Sequence, residues 1–319
     1  MKHIFITNPA AGRKKKTEEV LLEKLKEYDG RITYELYSTT GRGDATRFVR
    51  ERAAAEPEEQ FRFYACGGDG TANEVLQGVV GFENASMTCY PCGSGNDFIK
   101  YYGKKEDFLD LDNLINGKER TIDLMRIDDL YSMNVTNFGF DSAVVETMEK
   151  VRRKPIIGGR NAYTTGIITA LFKSMKTKCT VYVDGEQIND GTCLLCTVAN
   201  GKFVGGSFCC APHSSNEDGL LEVCLVRPVS RFTFVKLINV YSEGTHLDDP
   251  RFRDIISYRR GKSVHVVAEK ENFAFSLDGE LIYKNDFTIE ICPGALRFAV
   301  PLSLLSAEEK NEQPEPSAV

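Results

Sequence analysis

The chain has 319 residues, 42% hydrophobic and 27% charged, with 27 glycines and 11 prolines; this profile leaves room for two cores and excludes disordered, collagen-like and miniprotein classes. Lys and Arg total 40 against 46 Asp and Glu, a net charge of −6, so no overall positive field draws nucleic acid and none is expected as a partner. The longest apolar candidate, the interrupted segment Thr164 to Met175, falls short of the roughly 18 to 20 residues needed to cross a bilayer. Before Asn8-Pro9 the N-terminus offers a three-residue apolar run, Ile4 to Ile6, too short for a secretion signal. A cytoplasmic protein is the expectation.

From residue 1 to about 127, short apolar runs alternate with helical patterns. His3 to Thr7 reads as a strand, Thr17 to Tyr28 as a helix, Ile32 to Tyr37 as a strand, Asp44 to Ala55 as a helix, Phe61 to Cys66 as a strand, Thr71 to Val80 as a helix and Met87 to Cys92 as a strand. Strict βαβα order predicts a parallel sheet with helices on both faces, which binds ligands at the carboxyl ends of its strands. After residue 128 the strand candidates are Cys179 to Val183, Thr192 to Ala199, Leu220 to Arg227, Val264 to Ala268, Phe273 to Leu277 and Phe287 to Cys292, with Asp-Gly turns at 184, 218 and 278. This half reads as a β-sandwich interrupted by helices at Asp141 to Val151, Tyr163 to Met175 and Ser230 to Tyr241. Glu308 to Val319 is acidic with almost no apolar residues and reads as a disordered tail. The predicted domains are therefore 1–127 and 128–295, with 306–319 as tail.

Ten cysteines in a long chain without an export signal read as reduced thiols. Cys89/Cys92 and Cys193/Cys196 have zinc half-site spacing, but both pairs lie in apolar, strand-like surroundings, and buried thiols are expected there.

Three consecutive strand ends carry glycine together with polar residues. The sharpest is Gly67-Gly68-Asp69-Gly70-Thr71-Ala72-Asn73, between the apolar run FRFYAC and a helical pattern. A strand feeding a glycine cluster that opens a helix lets bare backbone N–H groups approach phosphate oxygens at the positive end of the helix. Asp69 repels phosphate unless a cation lies between them, and Mg²⁺ is the natural supplement. The next strand ends in Gly93-Ser94-Gly95-Asn96-Asp97-Phe98, and the first in Asn8-Pro9-Ala10-Ala11-Gly12, followed by the basic run Arg13 to Lys16. The P-loop pattern, the third glycine of a dinucleotide fingerprint and a protein-kinase catalytic loop are all missing. The four histidines at 3, 213, 246 and 265 are scattered, with no metal or catalytic spacing.

The combination of GGDGT-x-N at 67–73, GSGNDF at 93–98 and NP-x-x-G at 8–12 resembles the diacylglycerol kinase catalytic-domain family, most closely its soluble bacterial lipid kinase branch, related to sphingosine and ceramide kinases. DGLLEV at 218–223 and DGE at 278–280 extend the resemblance over nearly the whole chain. It implies an NAD kinase/diacylglycerol kinase-like α/β domain, a β-sandwich domain, and a final strand (296–305) returning to the first. It also implies an ATP- and Mg²⁺-dependent lipid kinase that transfers the γ-phosphoryl group to a hydroxyl of diacylglycerol or a related lipid, giving phosphatidic acid or the like. By resemblance the nucleotide falls to Asn8, Pro9, Ala10, Ala11, Gly12, Thr40, Gly67, Gly68, Asp69, Gly70, Thr71, Ala72, Asn73 and Ser94. Asp69 holds the catalytic Mg²⁺, Glu280 is the general base, and a second, structural Mg²⁺ lies at Ser215, Asp218 and Leu220.

On the residues alone, DGE reads first as a plain hairpin turn, Asp278 could serve as a base as well as Glu280, and Asp97 and Asp123 belong either to the nucleotide's polar network or to strand-end hydrogen bonding. Between Glu149 and Lys178 eight bases face one acid among apolar residues, which suits peripheral contact with an anionic membrane surface or a solvated helix face. The expected partner is a lipid at the inner face of the membrane, met transiently; a homodimer is the commonest assembly. The alternatives are an NAD kinase-like enzyme on a soluble substrate and a catalytically silent lipid- or nucleotide-binding regulator.

Overall fold

A computed structural model of the protein describes residues 1–9, 15–93, 95–140, 175–206 and 208–307. The chain divides into two compact units, Met1–Gly93 with Tyr102–Thr121 and Leu296–Val319, and Ser94–Tyr101 with Ile122–Ala295. The predicted helices within 141–174, the tail from 308, Ala10 to Lys14 and Ser94 lie outside the described residues.

The first unit runs β1 (Lys2–Thr7), α1 (Lys15–Leu25), β2 (Thr33–Ser38), α2 (Asp44–Ala55), β3 (Phe61–Gly67), α3 (Asp69–Val79) and β4 (Ala85–Pro91). Its strands lie in the order β2-β1-β3-β4, all parallel, with Phe298 of the strand Asp286–Val300 parallel beside Met87. β3 and β4 are buried along their whole length, as strands covered on both faces must be, and their runs FRFYACG and ASMTCYP show no alternation for the same reason. Right-handed crossovers place α1 on one face and α2 with α3 on the other. The last two pack closely because α3 presents Gly78, where a Cβ would lie 2.6 Å from Val49 Cβ. α1 ends at Leu25 and continues as a 3₁₀ turn, Lys26–Tyr28.

The second unit is a β-sandwich. One sheet is antiparallel, in the order Ile256–Gly261, Leu221–Val226, Leu195–Ala199, Val135–Gly139, Ala274–Leu277, Glu280–Tyr283. Facing it are Thr177–Val183, Ser263–Ala268 and the early part of Asp286–Val300. Between them Phe138, Val198, Val223 and Phe275 meet Val181, Val266 and Phe287. The outer face of the six-stranded sheet is covered by the helix Arg231–Ser242, whose Ser230 cap accepts from the Thr233 amide and whose Phe234 packs with Phe140, Leu195 and Val226.

The run Thr192 to Ala199, read above as one strand, is two. Thr192–Cys193 pairs with Thr177–Val183, whereas Leu195–Ala199 joins the six-stranded sheet, so the chain changes sheets at Leu194. All ten cysteines are free thiols. Cys179 and Cys193, from neighbouring strands, have their sulfurs 3.6 Å apart, and burial pushes the Cys66, Cys89 and Cys196 thiols up. Among the described residues no group of three or more His, Cys, Asp or Glu is placed to hold a metal.

Candidate active site

In the order β2-β1-β3-β4 the chain leaves β1 toward one side and afterwards builds on the other, so the sheet's switch point lies between β1 and β3, where ligands of such sheets bind. Register aligns the strand ends: Thr7 lies beside Ser38 and Cys66, and Gly67 beside Pro91. Across the switch point the Asn8 amide donates to Thr71 Oγ1 at 3.4 Å. The predicted loop residues Asn8 and Gly67 to Thr71 are therefore brought together.

The glycine cluster opens α3 two residues earlier than periodicity alone suggested, with Gly68 as the residue before the helix. Gly67 has no room for a side chain, since a Cβ there would sit 2.2 Å from Thr71 Oγ1. Its carbonyl accepts from the amides of Cys92, at 2.8 Å, and Gly93, at 3.1 Å. A Cβ on Gly68 would lie 3.4 Å from Gly93 Cα, so the β3 and β4 loops touch backbone to backbone. The first turn of a helix has no acceptors for its own amides and carries the positive end of the dipole; here that turn is Asp69-Gly70-Thr71, a geometry able to receive an anion. Ala72 is buried in α3, and Asn73, half-buried, accepts from the Gln77 amide at 3.4 Å. Sequence reasoning missed Lys105, whose Nζ reaches the Gly93 carbonyl at 3.5 Å; no motif surrounds it, and only the fold brings it to the loop.

Thr40 stands after the edge strand β2. Its amide and hydroxyl both donate to Asp44 Oδ2, at 2.8 and 2.9 Å, joined by the Tyr37 hydroxyl at 2.9 Å. With Arg47 on the other oxygen, these hydrogen bonds hold the Asp44 carboxyl well below the usual range. The Thr40 hydroxyl proton is thus committed to Asp44, and the lone pairs are what the side chain has left to offer a ligand.

In the second unit, DGE forms the two-residue hairpin between Ala274–Leu277 and Glu280–Tyr283. Asp278 has φ +48° and Gly279 φ +91°, the left-handed pair that a type I′ turn requires. Asp278 tolerates it because its carboxylate is fully used: Oδ1 accepts from Ser132 Oγ (2.6 Å) and the amides of Asn134 (3.2 Å) and Val135 (3.0 Å), and Oδ2 from the Met133 amide (3.2 Å). Of the two candidate bases, Asp278 is therefore the anchor of the turn, and the half-buried Glu280 is the carboxylate the anchor positions. Asp123 is likewise a hydrogen-bonding residue: buried, it accepts from the amides of Gly219 at 2.7 Å and Gly294 at 2.8 Å. Asp97 accepts from Lys100 Nζ at 2.5 Å and the Gly206 amide at 2.9 Å.

The donor chemistry of Asp69, a half-buried carboxylate beside a phosphate cradle, fits Mg²⁺, which is usually held by one or two carboxylates with water and phosphate completing its shell. The loop Ser215, Asp218, Leu220 offers oxygen donors of the right kind, but Asp218 Oδ2 is paired with Arg260, and Oδ1 accepts from the Leu220 amide at 3.1 Å. Arg260 also meets the buried Glu222 at 2.8 Å, whose carboxyl is pushed up by burial. In this arrangement one guanidinium is shared by two carboxylates, and Arg260 stands where a second ion would have to meet Asp218.

Residues 2–127 match the diacylglycerol kinase catalytic domain, and residues 134–300 the YegS C-terminal NAD kinase beta sandwich-like domain. A protein of Bacillus subtilis named diacylglycerol kinase is 30% identical over 285 residues, covering 86% of this chain and 88% of its own. One of the same name from Mycobacterium tuberculosis is 27% identical over 266 residues, covering 81% and 83%. The crystal structure of a diacylglycerol kinase from Bacillus anthracis superposes with a TM-score of 0.72 at 21% identity, covering 95% of this chain and 98% of that one, which bears on the fold. Both units and their order are those of these proteins, and the chain belongs to the diacylglycerol kinase family, in its bacterial lipid kinase branch.

Proposed function

We propose that the protein transfers the γ-phosphoryl group of ATP, with Mg²⁺, to the hydroxyl of diacylglycerol or a closely related lipid. The observation that carries the nucleotide half is the knit of loops at the switch point: Asn8 on Thr71, and Gly67 on the amides of Cys92 and Gly93. Phosphoryl transfer asks chiefly for positioning and for neutralisation of charge. Asn8 to Gly12, Gly67 to Asn73, Thr40 and Ser94 take the nucleotide, with backbone amides on its phosphates and Lys105 adding positive charge. Asp69 holds the catalytic Mg²⁺, which when bound neutralises charge on the transferred group. Glu280, set by the Asp278 anchor, takes the proton of the acceptor hydroxyl. A second ion at Ser215, Asp218 and Leu220 requires Arg260 to leave Asp218.

A lipid acceptor is favoured by the apolar lining of a narrow cleft of about 50 Å³ between the six-stranded sheet and the helix Arg231–Ser242, which has to widen to take an acyl chain. Phe140, Leu195, Val226, Phe234, Leu237 and Ile238 line it, and the Tyr241 hydroxyl, 3.3 Å from Thr197 Oγ1, supplies a polar edge. Acyl chains suit this wall, whereas the polar body of NAD leaves its hydrogen bonds unmet there. The reading places the protein at the inner face of the membrane as a peripheral enzyme. Among the described residues no helix is long and apolar enough to cross a membrane.

The test is phosphate transfer from labelled ATP to a panel of diacylglycerol, sphingosine and NAD. Transfer to lipid that disappears in Asp69→Ala and Glu280→Ala is the expected result; transfer to NAD alone rejects it.

A further inference from the structure

The helix Arg231–Ser242 has a second face. Phe234 and Leu237 point inward and are buried, but Phe232 and Val235 are 80% and 60% exposed, the two most exposed large hydrophobic side chains among the described residues. Spaced i, i+3, they share one side of the helix. The exposed Lys236 follows Val235, Arg231 precedes Phe232, and from Arg227 to Ser242 no acidic residue occurs. An apolar pair flanked along its helix by two bases is complementary to an anionic lipid surface, where apolar side chains enter the acyl boundary and cations lie among the headgroups. It is far too small for the roughly 1,200 Å² and more of a stable protein interface. The inner side of the same helix walls the cleft assigned to the acceptor's acyl chains.

We propose that the helix Arg231–Ser242 is the element that docks the enzyme on an anionic bilayer, with Phe232 and Val235 entering the interface and Arg231 and Lys236 among the lipid phosphates. This rests on the lipid-acceptor reading and differs from the basic segment 149–178, most of which lies outside the described residues.

The chain contains no tryptophan, so Phe232→Trp places a single indole on the docking face. Val267, 38% exposed on the outer side of the opposite sheet of the same sandwich, takes the control Val267→Trp. The full chain is pelleted with phosphatidylcholine vesicles, with and without phosphatidylglycerol and containing neither acceptor nor ATP. On anionic vesicles the Phe232→Trp emission shifts to the blue and is quenched by brominated lipid, while that of Val267→Trp does not move. Phe232→Glu with Val235→Glu lowers vesicle affinity about tenfold or more, and Lys236→Ala about fivefold on anionic vesicles only. Each of three results overturns the proposal: wild type that stays in solution with both vesicles, a Phe232→Trp indole that stays in water on pelleted protein, or a double variant that pellets like wild type. Protein that docks by this face but phosphorylates no lipid refutes the acceptor reading alone. Protein that phosphorylates diacylglycerol in detergent micelles but ignores vesicles refutes the docking face alone.

Discussion

At residue scale the site depends on two kinds of group, glycines that leave room and carboxylates that are already spoken for. Gly67 is the sharpest case. Adding one methyl puts carbon 2.2 Å from Thr71 Oγ1, so Gly67→Ala must turn the Thr71 side chain and break its bond with Asn8. The expected outcome is loss of ATP binding by calorimetry, with the fold's melting temperature lowered by a few degrees, as about 1 kcal/mol would do. A second prediction concerns two histidines the chemistry does not use. His3, whose ring meets the Tyr64 hydroxyl at 2.7 Å, and His246, its ring tilted against Tyr241, are both held neutral by burial, with pKa lowered to about 4. Because the folded value lies below the unfolded 6.5, the unfolded chain binds the extra protons. Stability is therefore full above pH 6.5 and falls as the pH drops toward 4. Each ring costs about 2 kcal/mol by pH 5. Urea unfolding at pH 7 and pH 5 measures this, and His3→Gln should remove about half of the loss.

At the scale of elements, the DGE hairpin shows how a turn becomes a positioning device. Its signal is legible in sequence as an Asp-Gly hairpin, but the signal is silent on which acid anchors the turn. That depends on the backbone of Ser132 to Val135, some 145 residues away, converging on Asp278. Asp278→Asn replaces an acceptor oxygen by an amide that faces the Met133 N–H. It should cost about 1 to 3 kcal/mol and lower kcat through a displaced Glu280, with KM for ATP nearly unchanged. A fall in kcat equal to that of Glu280→Ala with no loss of stability speaks against an anchoring role. The same scale explains what sequence left unread. VTNFG at Val135–Gly139 is the buried centre of the six-stranded sheet, yet Thr136 and Asn137 hide it, because the Asn137 oxygen finds its donor in Thr197 on the neighbouring strand, at 2.7 Å. Lys118–Ile127 carries five charged residues and Ile256–Gly261 two adjacent arginines, and both lack the apolar alternation that marks a strand.

At the scale of the whole molecule, the α/β unit was legible because each strand, loop and helix is decided by neighbours in sequence, whereas the sandwich is decided by partners far along the chain. The glycine cluster shared that advantage: GGDGT lies within one β-turn-α step, and the fold brings Asn8, the β4 loop and Lys105 to it. A division of labour follows that can be measured over all described residues at once. A non-hydrolysable ATP analogue with Mg²⁺ should slow amide hydrogen exchange at Asn8, Gly67 to Asn73 and Cys92 to Gly93, and leave Val135–Gly139 and Leu195–Ala199 as they were. Binding to the native state alone stabilises by mass action, about 2.7 kcal/mol at a hundredfold excess over Kd, so the melting temperature should rise with nucleotide concentration. Asp69→Asn keeps the shape of the helix start and removes the charge that calls for a cation. In that variant the protection should become nearly independent of Mg²⁺, because its neutral amide neither repels phosphate nor holds the ion. Protection that keeps its full Mg²⁺ dependence in Asp69→Asn moves the metal to another carboxylate, and protection confined to the sandwich removes the nucleotide from the first unit altogether.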